Sequence, residues 1–187
     1  MLTMVKTVLE SEAGEADEAF ARFSILARDF YDPVYRFLLR QAPTSQDAAD
    51  LTQETFVRAQ KAFPTFDLRR EFAPWIFTIA RRQLADFYRK RGQPHEALEI
   101  EPEDPDRGPR EQASRNEQAD HVWKLASGLK PNFHQVLLLH YEEELPVADI
   151  AKIMGITRTH VKVLLFRARS ALKTRLSTTT APGGPLS

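Results

Sequence analysis

Residues 146–176 read PVADIAKIMGITRTHVKVLLFRARSALKTRL, and this stretch decides the fold of the C-terminal part of the chain. A short helix is predicted from Pro146 to Met154. Gly155 follows where a tight turn needs a positive φ, and Thr157 is placed to cap a second helix. Two helices joined by such a turn predict a helix-turn-helix.

The second helix of this motif is predicted to be apolar on one side and basic on the other. Because each helical residue turns the chain by about 100°, one buried stripe is formed by Val161, Leu165, Ala168 and Leu172. The remaining arc holds Arg158, Thr159, Lys162, Arg167, Arg169, Ser170 and Lys173. Such a helix suits a DNA major groove with phosphates on its flanks. The alternative is a solvated helix of an all-α bundle.

The net charge of zero conceals a segregation of charge along the chain. Residues 93–120 carry three basic and nine acidic side chains, whereas residues 121–176 carry nine basic and four acidic ones. Within the acidic stretch, residues 93–108 (QPHEALEIEPEDPDRG) hold too few apolar side chains to fold alone. We therefore expect an acidic linker between two small domains.

The periodicity of the rest of the chain is helical, so we expect an all-α fold. In the N-terminal part, helices are predicted over 17–29, from Pro33 to Arg40, over 47–63 with a capping box at Thr44 and Asp47, and over 74–92. The predicted organisation is an N-terminal extension (1–16), a first domain (17–92), the linker (93–108), a second domain with the helix-turn-helix (109–176) and a disordered tail (177–187).

Composition and motifs disfavour several classes of function. The absence of cysteine rules out a disulfide framework and thiolate metal sites and fits a reducing cytoplasm. No apolar run has the quality of a signal peptide or the length of a membrane span, so no membrane insertion is expected. No phosphate loop, nucleophile constellation or metal-type histidine spacing occurs. An enzyme is therefore the weakest interpretation, and no cofactor is expected.

Two surfaces of the first domain carry possible binding residues. The outward face of the helix predicted over 47–63 sets the apolar Val57 among carboxylates and amides, which suggests a protein partner, although single exposed apolar residues are also ordinary. Arg81 and Arg82 lie mid-helix, where the helix dipole does not explain them. The preceding loop, FDLRREFAPW, mixes arginines with aromatics that suit either stacking on unpaired bases or anchoring of the loop on the core.

Three segments resemble, in this order, regions two and four of bacterial sigma factors. They are DAADLTQETFVRAQKAFPTFD, FAPWIFTIARRQLADFYRKR and, after the linker, LKPNFHQVLLLHYEEELPVADIAKIMGITRTHVKVLLFRARSAL. The resemblance covers roughly residues 17–176 and is specific to the two-domain extracytoplasmic-function (ECF) group of the sigma-70 family. It implies a promoter-specificity subunit whose partners are core RNA polymerase, promoter DNA and an anti-sigma factor.

The resemblance also implies a role for each surface. The residues expected to contact core polymerase are Asp50, Gln53, Glu54 and Val57. Those expected to open and read the −10 element are Arg69, Arg70, Phe72, Trp75, Arg81, Arg82 and Arg89. Those expected to read the −35 element are Arg158, Thr159, Lys162, Val163, Phe166 and Arg167. The acidic linker is similar to the family segment that runs towards the RNA path.

Val163 and Phe166 stand where polar residues are common in this family. Packing does not explain them within the basic arc, and we interpret them as contacts to thymine methyl groups or DNA sugars. Two alternatives share much of the pattern: a sigma-like decoy that sequesters an anti-sigma factor, and a plain helix-turn-helix regulator. The basic residues on both DNA faces disfavour the decoy, and the surfaces of the first domain disfavour the regulator.

Overall fold

The computed structural model describes residues 2–92 and 117–180, with side chains over 18–92 and 121–178. Within these ranges every regular element is a helix, which confirms the predicted all-α class. The chain divides into two compact units between Leu84 and Ala85, inside the third helix. The predicted acidic linker, residues 93–108, lies outside the described residues.

The first unit is built on a helical hairpin. The helices of this part of the chain are α1 (Leu2–Leu39), α2 (Ser45–Ala62), a 3-10 turn (Phe63–Thr65) and α3 (Phe72–Lys90), which continues into the second unit. The Thr44 cap is confirmed, because its hydroxyl oxygen accepts the Asp47 backbone N–H at 3.0 Å. The core contains Val34, Phe37, Leu51, Ile76 and Phe77.

The prediction of two helices separated before Pro33 is wrong, because α1 runs unbroken through that proline. Pro33 has no N–H to donate within the helix, which weakens the helix locally. Aromatic contacts on both sides of Pro33 compensate for this weakening. Phe23 packs on Phe63 at 5.2 Å between ring centroids, and Phe37 packs on Phe77 at 5.3 Å. The backbone of residues 2–16, predicted as an extension, forms the first part of the same helix.

Besides the end of α3, the second unit contains four helices in its described part. They are α4 (Glu117–Ser127), α5 (Pro131–Leu137) with a π-helical continuation (Leu138–Glu142), α6 (Val147–Met154) and α7 (Arg158–Thr180). The π-helical segment was not predicted. Residues 177–180 of the predicted disordered tail belong to α7, and residues 181–187 lie outside the described range.

Gly155 ends α6 in the left-handed conformation, with φ +68° and open space where a Cβ would lie. Gly155→Ala is therefore expected to lower the free energy of unfolding by about 1 kcal/mol, through backbone strain rather than a clash. Urea denaturation followed by circular dichroism measures this loss. Gly155→Asn, which tolerates this conformation better, is the control and is expected to lose less. An alanine variant as stable as the parent would contradict the assignment.

Candidate functional site

The helix-turn-helix of α6 and α7 has the geometry that its sequence predicts. The Thr157 side chain caps α7, because its hydroxyl oxygen accepts the His160 backbone N–H at 3.2 Å. Val161, Leu165 and Ala168 are buried against the rest of the unit. Leu164 is also buried, so it packs with this stripe. The outward face of α7 is thereby left to solvent.

That outward face has an apolar centre between basic borders. Val163 is 40% exposed and Phe166 is 71% exposed, so neither side chain is held by the core. The exposed basic side chains around them are Arg158, Lys162, Arg167, Arg169 and Lys173. In the described part of the chain none of these five forms an ion pair with a carboxylate. Their charge is thus available to an anionic partner.

The loop between the 3-10 turn and α3 is organised by Asp67, a residue that the sequence interpretation did not single out. Its Oδ1 accepts the Arg69 backbone N–H at 3.1 Å and the Arg69 Nε–H at 3.0 Å. The Arg70 Nε lies 3.9 Å from its other carboxylate oxygen. An aspartate two residues before the N–H that it binds is a common turn signal, and it was available in the sequence.

The Asp67 carboxylate stays charged under physiological conditions. The Arg69 side-chain hydrogen bond, followed by the Arg69 backbone hydrogen bond and the Arg70 charge, holds the pKa of Asp67 below its ordinary value of 3.8. Because this pKa is lowered on folding, its contribution is present above that ordinary value and is lost as the pH falls through the lowered pKa. The two arginine side chains stay 91% and 79% exposed, so this pairing favours their position beside Asp67 without fixing it.

An aromatic cluster lies beneath this loop. Phe66 packs on Trp75 at 4.6 Å between ring centroids, and Phe72 packs on Trp75 at 5.3 Å. Phe72 is only 6% exposed and also contacts Phe30 and Phe63. In this conformation the Phe72 ring anchors the loop on the core. A contact with DNA from this loop therefore depends on Arg69, Arg70 and the half-buried Trp75.

The basic stripe of α3 continues from this loop. Arg82 is exposed and forms no ion pair within the described residues, whereas Arg81 is half-buried. Further along the helix the Arg89 guanidinium donates to Asp86 at 2.8 Å. Because this pair is exposed, it contributes little stability and leaves Arg89 able to exchange partners.

The outward face of α2 matches the predicted arrangement. Asp50, Gln53 and Glu54 are exposed, and Val57 is 44% exposed among them. Arg58 binds Glu54 at 2.6 Å, which partly neutralises this carboxylate. The face is therefore mildly polar around one accessible apolar side chain.

A shallow groove between α1 and α2 was not predicted. The rings of Tyr31 and Phe56 stack at 5.6 Å between centroids, and Ala27, Arg28 and Asp32 complete the lining. Phe56 is half-buried in this arrangement. Phe56, which lines this groove, is the neighbour of Val57 in the sequence.

Two kinds of feature are absent from the described residues. No cluster of three or more His, Cys, Asp or Glu residues with the geometry of a metal site occurs in them. None of their helices combines the length and apolarity that crossing a membrane requires.

Comparison with known proteins identifies both units. Residues 26–93 match the model of sigma-70 region 2, and residues 122–172 match the model of sigma-70 region 4. The ECF RNA polymerase sigma factor SigM of Bacillus subtilis is 33% identical over 150 residues, which cover 77% of this chain and 88% of SigM. The chain belongs to the ECF sigma factor family. It is thus a transcription initiation factor that directs promoter recognition by RNA polymerase.

Two further proteins are similar to this chain. The ECF sigma factor BldN of Streptomyces coelicolor is 33% identical over 174 residues, which cover 88% of this chain and 62% of BldN. The chain therefore spans less than two thirds of that relative. The sigma factor RpoE of Bartonella quintana, solved in complex with the anti-sigma factor NepR, has the same fold, with a TM-score of 0.67 and 23% identity over 84% of this chain and 96% of RpoE.

Proposed function

We propose that this sigma factor binds core RNA polymerase through the outward face of α2 and contacts promoter DNA at two separate places. The observation that carries the proposal is the face of α7, where five exposed basic side chains, none in an ion pair within the described residues, surround two exposed apolar ones. A surface of this kind matches a major groove, because phosphates attract its borders and base edges meet its centre.

The −35 element is assigned to α7. Thr159, Val163 and Phe166 follow one another at helical spacing along the centre of its outward face. The bases would meet these side chains, while Arg158, Lys162 and Arg167 would bind phosphates on the two sides. An apolar side chain distinguishes thymine by its methyl group, so a T-containing −35 element is expected.

Val163→Ser tests this assignment directly. The variant is expected to lose about 1 kcal/mol of discrimination in favour of thymine, because the hydroxyl makes no favourable apolar contact with the methyl group. Binding of the holoenzyme to a set of −35 variants measures the base preference. Leu164→Met, a change at a buried position on the same helix, is the control. An unchanged base preference in the serine variant would reject the assignment.

The −10 element is assigned to the loop before α3 and the basic stripe of that helix. Asp67 binds Arg69 and lies 3.9 Å from Arg70, Trp75 offers a partly exposed ring, and Arg82 offers an exposed charge. Capture of one unpaired base at this site would offset an unstacking cost of a few kcal/mol and so start melting of the DNA.

The two DNA contacts are proposed to act as one bivalent site on the polymerase. A few phosphate contacts bind weakly at physiological salt. For each contact, the logarithm of the affinity falls with the logarithm of the salt concentration with a slope of about −0.9. Once both units are tethered to the same enzyme, the second contact becomes effectively intramolecular, and the combined affinity rises without new contacts. Catalysis belongs to the polymerase in this scheme, and the factor works in the cytoplasm.

An anti-sigma factor is proposed as a regulatory partner. RpoE, which shares this fold, was solved bound to the anti-sigma factor NepR. A protein of that kind would keep the chain from polymerase by covering the surfaces described above. A sigma-like decoy would share such a partner, but it would not need the unpaired basic residues of α7.

Transcription with purified components tests the proposed function. The chain is added to core RNA polymerase and a library of genomic fragments, and transcript start sites are mapped. We expect start sites with two shared upstream elements at a fixed spacing. Co-purification with the polymerase without any transcript would favour the decoy, and DNA binding without polymerase binding would favour the plain regulator.

A further inference from the structure

We propose that Tyr141 is a positioning residue that holds Arg169 for contact with a backbone phosphate at the edge of the −35 element, an inference that depends on the proposed function. Neither residue belongs to the set first expected to read this element. Tyr141 lies outside the helix-turn-helix, in the π-helical segment before it. The proposal thus adds a second structural element to the DNA-binding surface.

The contact between the two side chains is direct. The guanidinium carbon of Arg169 lies 5.4 Å from the centroid of the Tyr141 ring. The ring is 51% exposed, so it is not required to fill the core. Arg169 makes no ion pair within the described residues, and its guanidinium contacts the ring instead. A guanidinium that rests on a ring keeps all its N–H donors free for a phosphate.

The position of the ring is itself held by the π-helical segment. The Glu143 N–H donates to the Leu138 carbonyl at 3.1 Å, which closes the wide turn. The His140 ring packs edge-on against Tyr141 at 4.8 Å between centroids. The His140 Nδ1 lies 3.4 Å from the Leu145 carbonyl oxygen, which links this segment to the start of α6. The tyrosine is therefore presented to α7 from a fixed support.

The location of Arg169 on α7 favours phosphate over base contact. It lies two helical turns beyond Lys162 on the same border of the outward face. At 1.5 Å per residue this separation is about 10 Å, close to the major-groove width of about 12 Å. A helix whose first turns read the bases therefore carries Arg169 to the groove edge, where the backbone passes.

Holding the arginine in advance lowers the cost of binding. A free arginine side chain loses rotamer freedom when it binds a phosphate, and the ring removes part of that loss before DNA arrives. Tyr141→Leu is therefore expected to weaken promoter binding by about three- to fivefold. The loss is expected to be equal for all −35 sequences, because phosphate contacts carry no sequence information.

A double-mutant cycle on the holoenzyme tests the proposal. Affinity for a promoter fragment is measured against salt for the parent, Tyr141→Leu, Arg169→Ala, the double variant and Tyr141→Phe. We expect Arg169→Ala to reduce the salt slope by about 0.9. We expect Tyr141→Leu to cost nothing further once Arg169 is absent. Tyr141→Phe keeps the ring and is expected to bind like the parent.

Four results would overturn the proposal: additive losses in the double variant, a Tyr141→Phe variant as weak as Tyr141→Leu, a loss that depends on the −35 bases, or parental affinity in the Tyr141→Leu variant. Additive losses in particular would indicate that Tyr141 acts on stability and not through Arg169. Failure of the proposed function gives a different result, since the parent holoenzyme itself would then show no specific promoter binding. Parental affinity in the Tyr141→Leu variant would reject the positioning role alone.

Discussion

Replacement of Arg81 and Arg82 together by alanine is expected to abolish transcription from a cognate promoter and to leave binding to core polymerase intact. Both residues lie mid-helix on α3, the helix that follows the loop with Arg69 and Arg70. Without them the cost of unstacking the first base is no longer offset, and a loss of about 3 kcal/mol lowers the rate of open-complex formation by more than about 100-fold. Permanganate reactivity of unpaired thymines measures the opening.

The control for this double variant must distinguish the loss of positive charge from a loss of the folded state. Arg22→Ala removes an exposed arginine from α1, where its pair with Glu18 is worth little, and full transcription is expected. Because Arg81 is half-buried, thermal unfolding of the double variant should be recorded as well. A folded double variant that still opened the promoter would show that this stripe of α3 does not act in melting.

Val57→Asp is expected to have the opposite effect, because it should weaken binding to core polymerase first. The aspartate would bring an unpaired carboxylate into the centre of the α2 face, beside Asp50 and Glu54, where polymerase is proposed to dock. Burial of such a group without a partner costs about 1–3 kcal/mol, so core binding should weaken by about 10- to 100-fold. Competition with the labelled parent for a limiting amount of core polymerase measures this.

Ile25→Asp is the matched control, because Ile25 is 56% exposed on α1 and lies outside the predicted face. It introduces the same charge at a similar apolar position, and parental affinity for polymerase is expected. Thermal unfolding of both variants shows whether either aspartate disturbs the fold. Parental core binding by Val57→Asp would show that the outward face of α2 is wrongly assigned.

The helix-turn-helix was predictable because its signals are local. A glycine with positive φ, a threonine cap and a regular apolar stripe each act within a few residues of where they stand. The predicted break at Pro33 is wrong because packing between distant residues overrides the local signal. Proline is also a local signal, but Phe23 and Phe37 pack on distant residues at both sides of it, and this packing keeps α1 continuous.

The candidate sites were predictable to different degrees. Val163 and Phe166 were placed correctly on the outward face of α7, since helical geometry alone determines that position. The burial of Phe72 and the pairing of Tyr141 with Arg169 depend on contacts between separate elements. No pattern along the sequence records which aromatic ring meets which partner, so these details required the fold.

The π-helical segment from Leu138 to Glu142 affects how the sequence of this chain aligns with those of its relatives. A π-turn accommodates one more residue than an α-helical turn, so it marks a place where a single-residue insertion can be absorbed. Relatives that lack the extra residue would continue as ordinary α-helix and align with a one-residue gap here. In those proteins the ring equivalent to Tyr141 would point elsewhere, and the arginine on the recognition helix would need another support.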